Sequence, residues 1–316
     1  MRNIYSNIIK FNLSNLTKII DILKKDGILG LPTETVYGLA GNAYSEKAIN
    51  KIYNSKRRVK KNPLIVHYYD LKQASKDVIL DQNFLKIYKK LSPGPLTYIV
   101  KKKTGSKIKP MASANLKTVG IRFPNNKIIR KILKKLDFPL VMPSANISAS
   151  ISPISSRDVV EEFKNKIKVV DGGLSKIGIE STVLNLVGNI SILRPGLITP
   201  EQIKNILRKK INFSTNNKII KSPGTLKKHY SPNIKMLLNK KKCPEQYAFI
   251  TFGSKYPVTR NSFNLSKKSN LNEAAKNLYK LFRIIKKKKY KKIYVAPIPK
   301  NGVGYAINDR LKHAAR

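Results

Sequence analysis

Apolar segments of strand length alternate with segments of helical periodicity along most of the chain, and that alternation restricts it to layered α/β architectures. Leu16, Ile19, Ile20 and Leu23 recur at helical spacing, and Gly27 supplies a helix stop before the apolar run 28–31, which reads as a buried strand. Ser45 reads as the N-cap of a second helix, with Ala48, Ile49, Ile52 and Tyr53 on one face, leading into a strand at 63–68. Further strands are expected at 97–100, 119–123, 140–142 and 169–170, with helices near 84–91, 128–136 and 157–163. Strand-like 182–186 and 190–193 flank Val187-Gly188-Asn189, a turn composition that predicts a hairpin and therefore a mixed sheet. A last helix opens on Thr199 as N-cap, with Pro200 at the first helical position and Gln202 three residues after the cap.

A chain of 316 residues exceeds what one hydrophobic core usually serves, so two domains are expected. Residues 211–233 are polar and carry the breakers Pro223-Gly224 and Ser231-Pro232, which mark a linker. Beyond it, 246–252 and 292–297 read as strands around a helix bearing Ala275, Leu278, Tyr279 and Phe282, a small βαβ domain. The expected division is 1–210, a linker at 211–233, and 234–316.

The 64 Lys plus Arg against 17 Asp plus Glu give a formal charge of +47, which favours polyanionic partners such as nucleic acid. Lysine is spread over the whole chain, so the charge marks no particular patch, and the runs 101–103 and 286–289 read as solvated element ends. Apolar stretches fall short of the ~20 residues a membrane span needs, and the first residues lack the apolar core of a secretory signal. A cytoplasmic protein with no membrane association is expected. Cys243, the single cysteine, has no disulfide partner in the chain and no neighbouring His or Cys for a metal site.

Several polar segments sit at strand exits, where α/β sheets commonly bind ligands. Pro32-Thr33-Glu34-Thr35-Val36-Tyr37-Gly38-Leu39 follows the first buried strand. Downstream come Lys56-Arg57-Arg58, Asn62-Pro63-Leu64-Ile65-Val66-His67, Ser92-Pro93-Gly94-Pro95-Leu96-Thr97, Val119-Gly120-Ile121-Arg122, Pro143-Ser144-Ala145-Asn146, Glu180-Ser181-Thr182 and Leu193-Arg194-Pro195-Gly196. Taken singly, these are turn caps, exposed cations and strand hydroxyls. Lys and Arg two apart at a helix end can reach a phosphate chain, and a Ser-x-Asn loop after an apolar strand can hold phosphate oxygens.

The ordered set resembles the L-threonylcarbamoyladenylate synthases, the YrdC-like family. Ser222-Pro223-Gly224, Lys228-His229-Tyr230-Ser231-Pro232 and the terminal Gly302-Val303-Gly304-Tyr305-Ala306-Ile307-Asn308-Asp309-Arg310-Leu311 are similar to its longer, two-domain branch. The resemblance implies a YrdC-like twisted mixed sheet flanked by helices, then a small Rossmann-like α/β domain. It implies a nucleotidyltransferase that joins L-threonine, bicarbonate or CO2 and ATP into threonylcarbamoyl-AMP and pyrophosphate. The product would serve the N6-threonylcarbamoyladenosine modification at position 37 of tRNAs reading ANN codons.

By the same resemblance Lys56 and Arg58 act in catalysis and touch ATP, together with Thr118, Ser144, Asn146, Ser152, Arg194 and Tyr230. Thr33, His67, Arg122 and Ser181 surround threonine, with Arg122 on its carboxylate. Magnesium would accompany ATP, its ligands open, with Glu34 one candidate. Partners would be the small substrates, the tRNA threonylcarbamoyl transferase machinery that takes the product, and weakly the tRNA itself. The linker, with Tyr230, would close over the filled site.

The chain departs from the family pattern in two places. Val59 stands where Pro usually follows Lys-x-Arg, and Ile154 stands where a threonine hydroxyl is usual, which bears on Ser152 beside it. Thr104-Gly105-Ser106-Lys107 lacks the earlier glycine of a phosphate loop, so ATP must be held otherwise. Two other readings remain at this point: a non-catalytic basic RNA-binding protein, and a carbamoyl-transfer relative of hydrogenase-maturation modules, against which the missing Cys-rich zinc motifs and the second domain argue.

Overall fold

The computed structural model describes residues 5–214 and 229–316. Ser222-Pro223-Gly224 and Lys228 of the expected linker lie outside the described residues.

The larger of two sheets contains β1 (Ile8–Lys10), β2 (Leu29–Leu31), β3 (Gly38–Asn42), β4 (Ile65–His67), β5 (Leu96–Lys101), β6 (Thr118–Arg122), β7 (Leu140–Val141), β8 (Val169–Asp171), β9 (Thr182–Asn185), β10 (Ser191–Arg194) and β11 (Asn212–Phe213). Their spatial order is β1-β8-β2-β3-β7-β4-β6-β5-β9-β10-β11. The sheet is mixed, as the hairpin signal predicts: β4 and β6 are parallel, whereas β5 and β6, and β9 and β10, are antiparallel.

Its helices are α1 (Leu13–Lys24), α2 (Glu46–Lys56), α3 (Leu71–Ala74), α4 (Gln82–Leu91), α5 (Lys127–Lys134), α6 (Ser156–Glu162) and α7 (Pro200–Leu207). Ser45 caps α2 by accepting from the Ala48 N–H, and Thr199 with Gln202 closes a capping box on α7. Helices α1 and α5 bury Ile19, Leu23, Ile129 and Ile132 in one core. Helices α2, α4 and α7 bury Ile49, Ile52, Phe84, Ile87 and Ile203 in another. Adjacent strand residues divide between the two cores, Leu39 from Ala40, Leu140 from Val141 and Val169 from Val170, so the cores lie on opposite faces of the sheet.

Three strands of this sheet, β1, β3 and β11, are not expected from the sequence. The segment after β2, read as an exit loop, returns at Gly38 as β3, antiparallel to β2. Its composition is glycine-rich because the backbone is crowded: a Cβ on Gly38 would stand 2.8 Å from Met142 Cε. β11 adds a strand parallel to β10, which carries the sheet past residue 210.

The second sheet holds β12 (Lys235–Leu237), β13 (Ala248–Thr251), β14 (Ser262–Asn264) and β15 (Lys292–Val295), parallel throughout in the order β12-β15-β13-β14. Helix α8 (Leu271–Lys287) links β14 to β15, and α9 (Gly304–Ala314) ends the chain. The expected βαβ pair, β13 and β15, does lie side by side. The connection passes through β14, whose single apolar residue, Phe263, gave no pattern to read.

Ala275, Leu278, Tyr279 and Phe282 of α8 and Ile307 and Leu311 of α9 share one apolar cluster with Val36, Ile151, Ile154 and Ile179. The two parts therefore have a common core. Ile154, the departure from the family pattern, spends its side chain there at 5% exposure. Among the described residues no helix is long and apolar enough to cross a membrane.

Candidate active site

A small cavity of about 40 Å³ opens where the exits of β2, β4, β6, β7 and β10 and the entry to β9 meet the end of the linker. Three guanidinium groups converge on it, those of Arg58, Arg122 and Arg194, each less than a tenth exposed. Thr35, His67, Ser144 and Ser181 complete much of the wall, and His229 and Tyr230 form another part.

Each arginine is fixed by groups that neighbour it through the fold. Arg58 donates from Nε to the Asn62 carbonyl at 3.1 Å and from Nη2 to Asn62 Oδ1 at 2.5 Å and the Pro63 carbonyl at 2.9 Å. Burial lowers its pKa to about 10, which leaves it a cation at neutral pH. Arg194, at the end of β10, donates from Nε to the Ser181 carbonyl at 3.1 Å and from Nη2 to Ser181 Oγ at 3.2 Å. Ser181 Oγ also lies 2.8 Å from Thr97 Oγ1. Arg122, at the end of β6, pairs through Nη2 with Glu34 Oε1 at 2.7 Å, while its Nε is buried without a partner. An unpaired buried donor of this kind costs about 1–3 kcal/mol, so it is a strong recruiter of an acceptor.

Both imidazoles are neutral. Burial, reinforced by the positive charge of Arg122, lowers the His67 pKa to about 3, and its Nδ1 lies 3.2 Å from the Ile65 carbonyl. Burial likewise lowers His229 to about 3. His229 Nδ1 and the Tyr230 hydroxyl are buried with no protein partner, two more polar groups left for a ligand. Tyr230 adopts a left-handed backbone, φ 61°, and its ring lies 4.9 Å below the Arg310 guanidinium.

Several residues expected in the site support it from behind. Lys56, at the end of α2, is fully buried, and its Nζ donates to the carbonyls of Ser144 at 2.6 Å and Asn146 at 2.5 Å. It therefore clamps the loop after β7 and does not line the cavity. Burial drives its pKa well below the ordinary lysine value, and Arg58 adds to the effect. Asn146 donates from Nδ2 to the carbonyls of Ile147 and Ser150, and its Oδ1 is buried unpaired. Thr33 closes the turn after β2, its hydroxyl donating to the Val36 carbonyl at 2.5 Å and lying 2.8 Å from the hydroxyl of Thr35, the threonine that lines the cavity. Ser152 is wholly buried and bonds Glu180 Oε1 at 2.5 Å. Thr118 starts β6 while Arg122 ends it, roughly 13 Å away at the rise of a strand, so it lies outside this small cavity.

The second domain reaches the same wall. Arg310 of α9 donates from Nε to Glu180 Oε2 at 2.8 Å, and the Tyr279 hydroxyl of α8 lies 3.0 and 3.1 Å from the two Glu180 oxygens. Burial alone would raise the Glu180 pKa, but Arg310, Arg194 and the Ser152 hydroxyl together hold it at about 2. Arg283 donates from Nη2 to the carbonyls of Ile151 and Ser152, each at 3.0 Å. Glu34, Thr35, Glu180 and His229 are thus members of the site that motif matching did not single out as ligands. The signal for all four was their place inside matched segments, and Glu34 was besides a metal candidate.

The family model described as "Telomere recombination" matches residues 21–196, and the one described as "Threonylcarbamoyl-AMP synthase, C-terminal domain" matches 198–316. The threonylcarbamoyl-AMP synthase of Bacillus subtilis is 32% identical to this chain over 93% of it and 91% of the relative. The chain belongs to the threonylcarbamoyl-AMP synthase family. The Pyrococcus abyssi synthase is 31% identical over 93% of this chain and 92% of its own. A crystal structure of P. abyssi Sua5 complexed with L-threonine superposes with a TM-score of 0.89 at 27% identity, covering 98% of this chain and 96% of that one. The chain carries both family segments in a single polypeptide.

Proposed function

We propose that this chain makes threonylcarbamoyl-AMP from L-threonine, bicarbonate or CO2, and ATP. The threonine amine takes up CO2 and loses a proton, giving N-carboxythreonine. A carboxylate oxygen of that carbamate then forms a bond to the α-phosphorus of ATP while the bond to the β-phosphate oxygen breaks, and pyrophosphate leaves with the electron pair. Anionic groups must meet on this path, so positioning and fixed positive charge matter more than a protein nucleophile.

The observation that carries this reading is the convergence of Arg58, Arg122 and Arg194 on one buried cavity beside neutral histidines and hydroxyls, in a member of this family. Arg122 is suited to the threonine carboxylate, because its free Nε can complete a planar contact that Glu34 leaves half made. His67 and Ser181 are suited to the polar groups of the amino acid. Arg58 and Arg194 are suited to phosphate oxygens, with Ser144 and the loop clamped by Lys56 beside them.

Magnesium enters here as part of the ATP substrate. Among the described residues no three His, Cys, Asp or Glu side chains converge, and Glu34 and Glu180 already face arginines. Such a donor set fits an ion that keeps mainly phosphate and water ligands.

A cavity of about 40 Å³ holds a few waters, far less than ATP requires. His229 and Tyr230 must therefore withdraw to admit substrate, and their return would shield the labile adenylate from water. The reaction is assigned to the cytoplasm, with the product passed to the tRNA threonylcarbamoyl transferase machinery for ANN-reading tRNAs. The +47 charge supports weak, salt-sensitive contact with that tRNA. The reading is tested by pyrophosphate release: it must require threonine, bicarbonate and ATP together, and must collapse in Arg122→Ala. Release that ignores threonine would overturn it.

A further inference from the structure

The second sheet has a crevice of its own, about 610 Å³, at the carboxyl ends of its central strands. The chain leaves β13 toward β14 and leaves β15 into α9, and the crevice lies between these two adjacent strand exits. Carboxyl ends of adjacent parallel strands are where open α/β sheets hold ligands.

Its chemistry is divided. Phe252 and Ile298, both buried, and Leu271 give an apolar floor, whereas Ser254, Lys255 and Ser269 are exposed at the lip. Lys255 is the cation among the lining residues, and none of them is a carboxylate. The lip is also built rather than loose. Gly253 has φ 82°, and a Cβ there would stand 2.8 Å from Ser269 Oγ. Its N–H donates to the Ser266 carbonyl at 2.9 Å, its carbonyl accepts from Asn264 Nδ2 at 2.8 Å, and Ser266 Oγ bonds Glu273. A volume of this size, mostly apolar with a few placed polar groups, is typical of small-molecule sites.

We propose that this crevice is a second, non-catalytic site that binds a free nucleotide, its base on Phe252, Leu271 and Ile298 and its phosphates at Ser254, Lys255 and Ser269. It shares no lining residue with the arginine cavity, so it stands or falls independently of the reaction assigned there.

The test is an NMR titration of the isotopically labelled full chain with ADP, alongside calorimetry of the wild type and of Lys255→Glu. Saturable shifts are expected at the amides of 253–255 and 269–271. Calorimetry should read two ADP sites in the wild type, one of them weakened at least roughly tenfold in the variant, as loss of charge-assisted phosphate bonds requires. Threonine-dependent pyrophosphate release should be unchanged, and matching thermal unfolding of the two proteins establishes that the variant is folded. Absence of shifts at those amides under saturating ADP would overturn the proposal. So would undiminished two-site binding in the variant, or shifts produced by a single-stranded RNA oligomer and not by ADP.

Discussion

The Arg122 guanidinium owes its orientation to Glu34, whose carboxylate holds one edge and leaves Nε buried without a protein partner. Glu34→Gln keeps the shape and removes the charge, so the Michaelis constant for threonine should rise by roughly tenfold or more while kcat changes less. Equal losses in both at unchanged stability would show that Glu34 has another role. Lys56 makes a different kind of contribution. Lys56→Ala strands the Ser144 and Asn146 carbonyls and should cost about 1–3 kcal/mol of stability, measured by denaturant unfolding, besides impairing activity. Motifs exposed the residue types here but could not separate the group on the wall from the group behind it. Thr33 and Thr35 differ by two positions, yet only Thr35 is among the residues that line the cavity. Glu34 and Arg122 are 88 residues apart in sequence, and only the sheet order brings the β2 exit to the end of β6.

Among the elements, α1, α2, α4, α5, α7 and α8 were legible because their apolar faces repeat at helical spacing and their caps are explicit, Ser45 and Thr199 above all. β3 was not, because close backbone packing selected glycine where the strand signal needs bulk. Nor were the short edge strands, which bury too little to show a pattern. The contact of α8 and α9 with Glu180 was equally hidden, since nothing in a helical period names a partner in another domain. Arg310→Ala would leave Glu180 buried with its main counter-charge gone and should destabilise the chain by about 3–5 kcal/mol. The loss should shrink in the double variant with Glu180→Gln, a coupling that unfolding of the four proteins would measure. Full additivity would mean that the ion pair does not join the two parts energetically.

At the scale of the whole molecule, the shared cluster around Tyr279, Ile154 and Ile179 makes the two sheets one packed body, which a polar linker sequence did not announce. The buried ionisable groups also give that body a characteristic response to acid. His67 and His229, ordinarily near 6.5 and lowered to about 3, bind protons more readily unfolded than folded. Stability is thus full above about 6.5 and falls as pH drops from there toward about 3. Glu180, held at about 2 against an ordinary 4.5, adds a further loss below about 4.5. Thermal unfolding of wild type and His67→Gln across this range should show a shallower acid slope in the variant; identical slopes would show that His67 is not buried neutral. The catalytic claim is tested most directly by incubating the full chain with ATP, magnesium, threonine and isotopically labelled bicarbonate, and following the products by mass spectrometry. The label should appear in a threonylcarbamoyl adenylate formed together with pyrophosphate. Pyrophosphate without the labelled adenylate, or no turnover by the folded protein, would contradict the assignment.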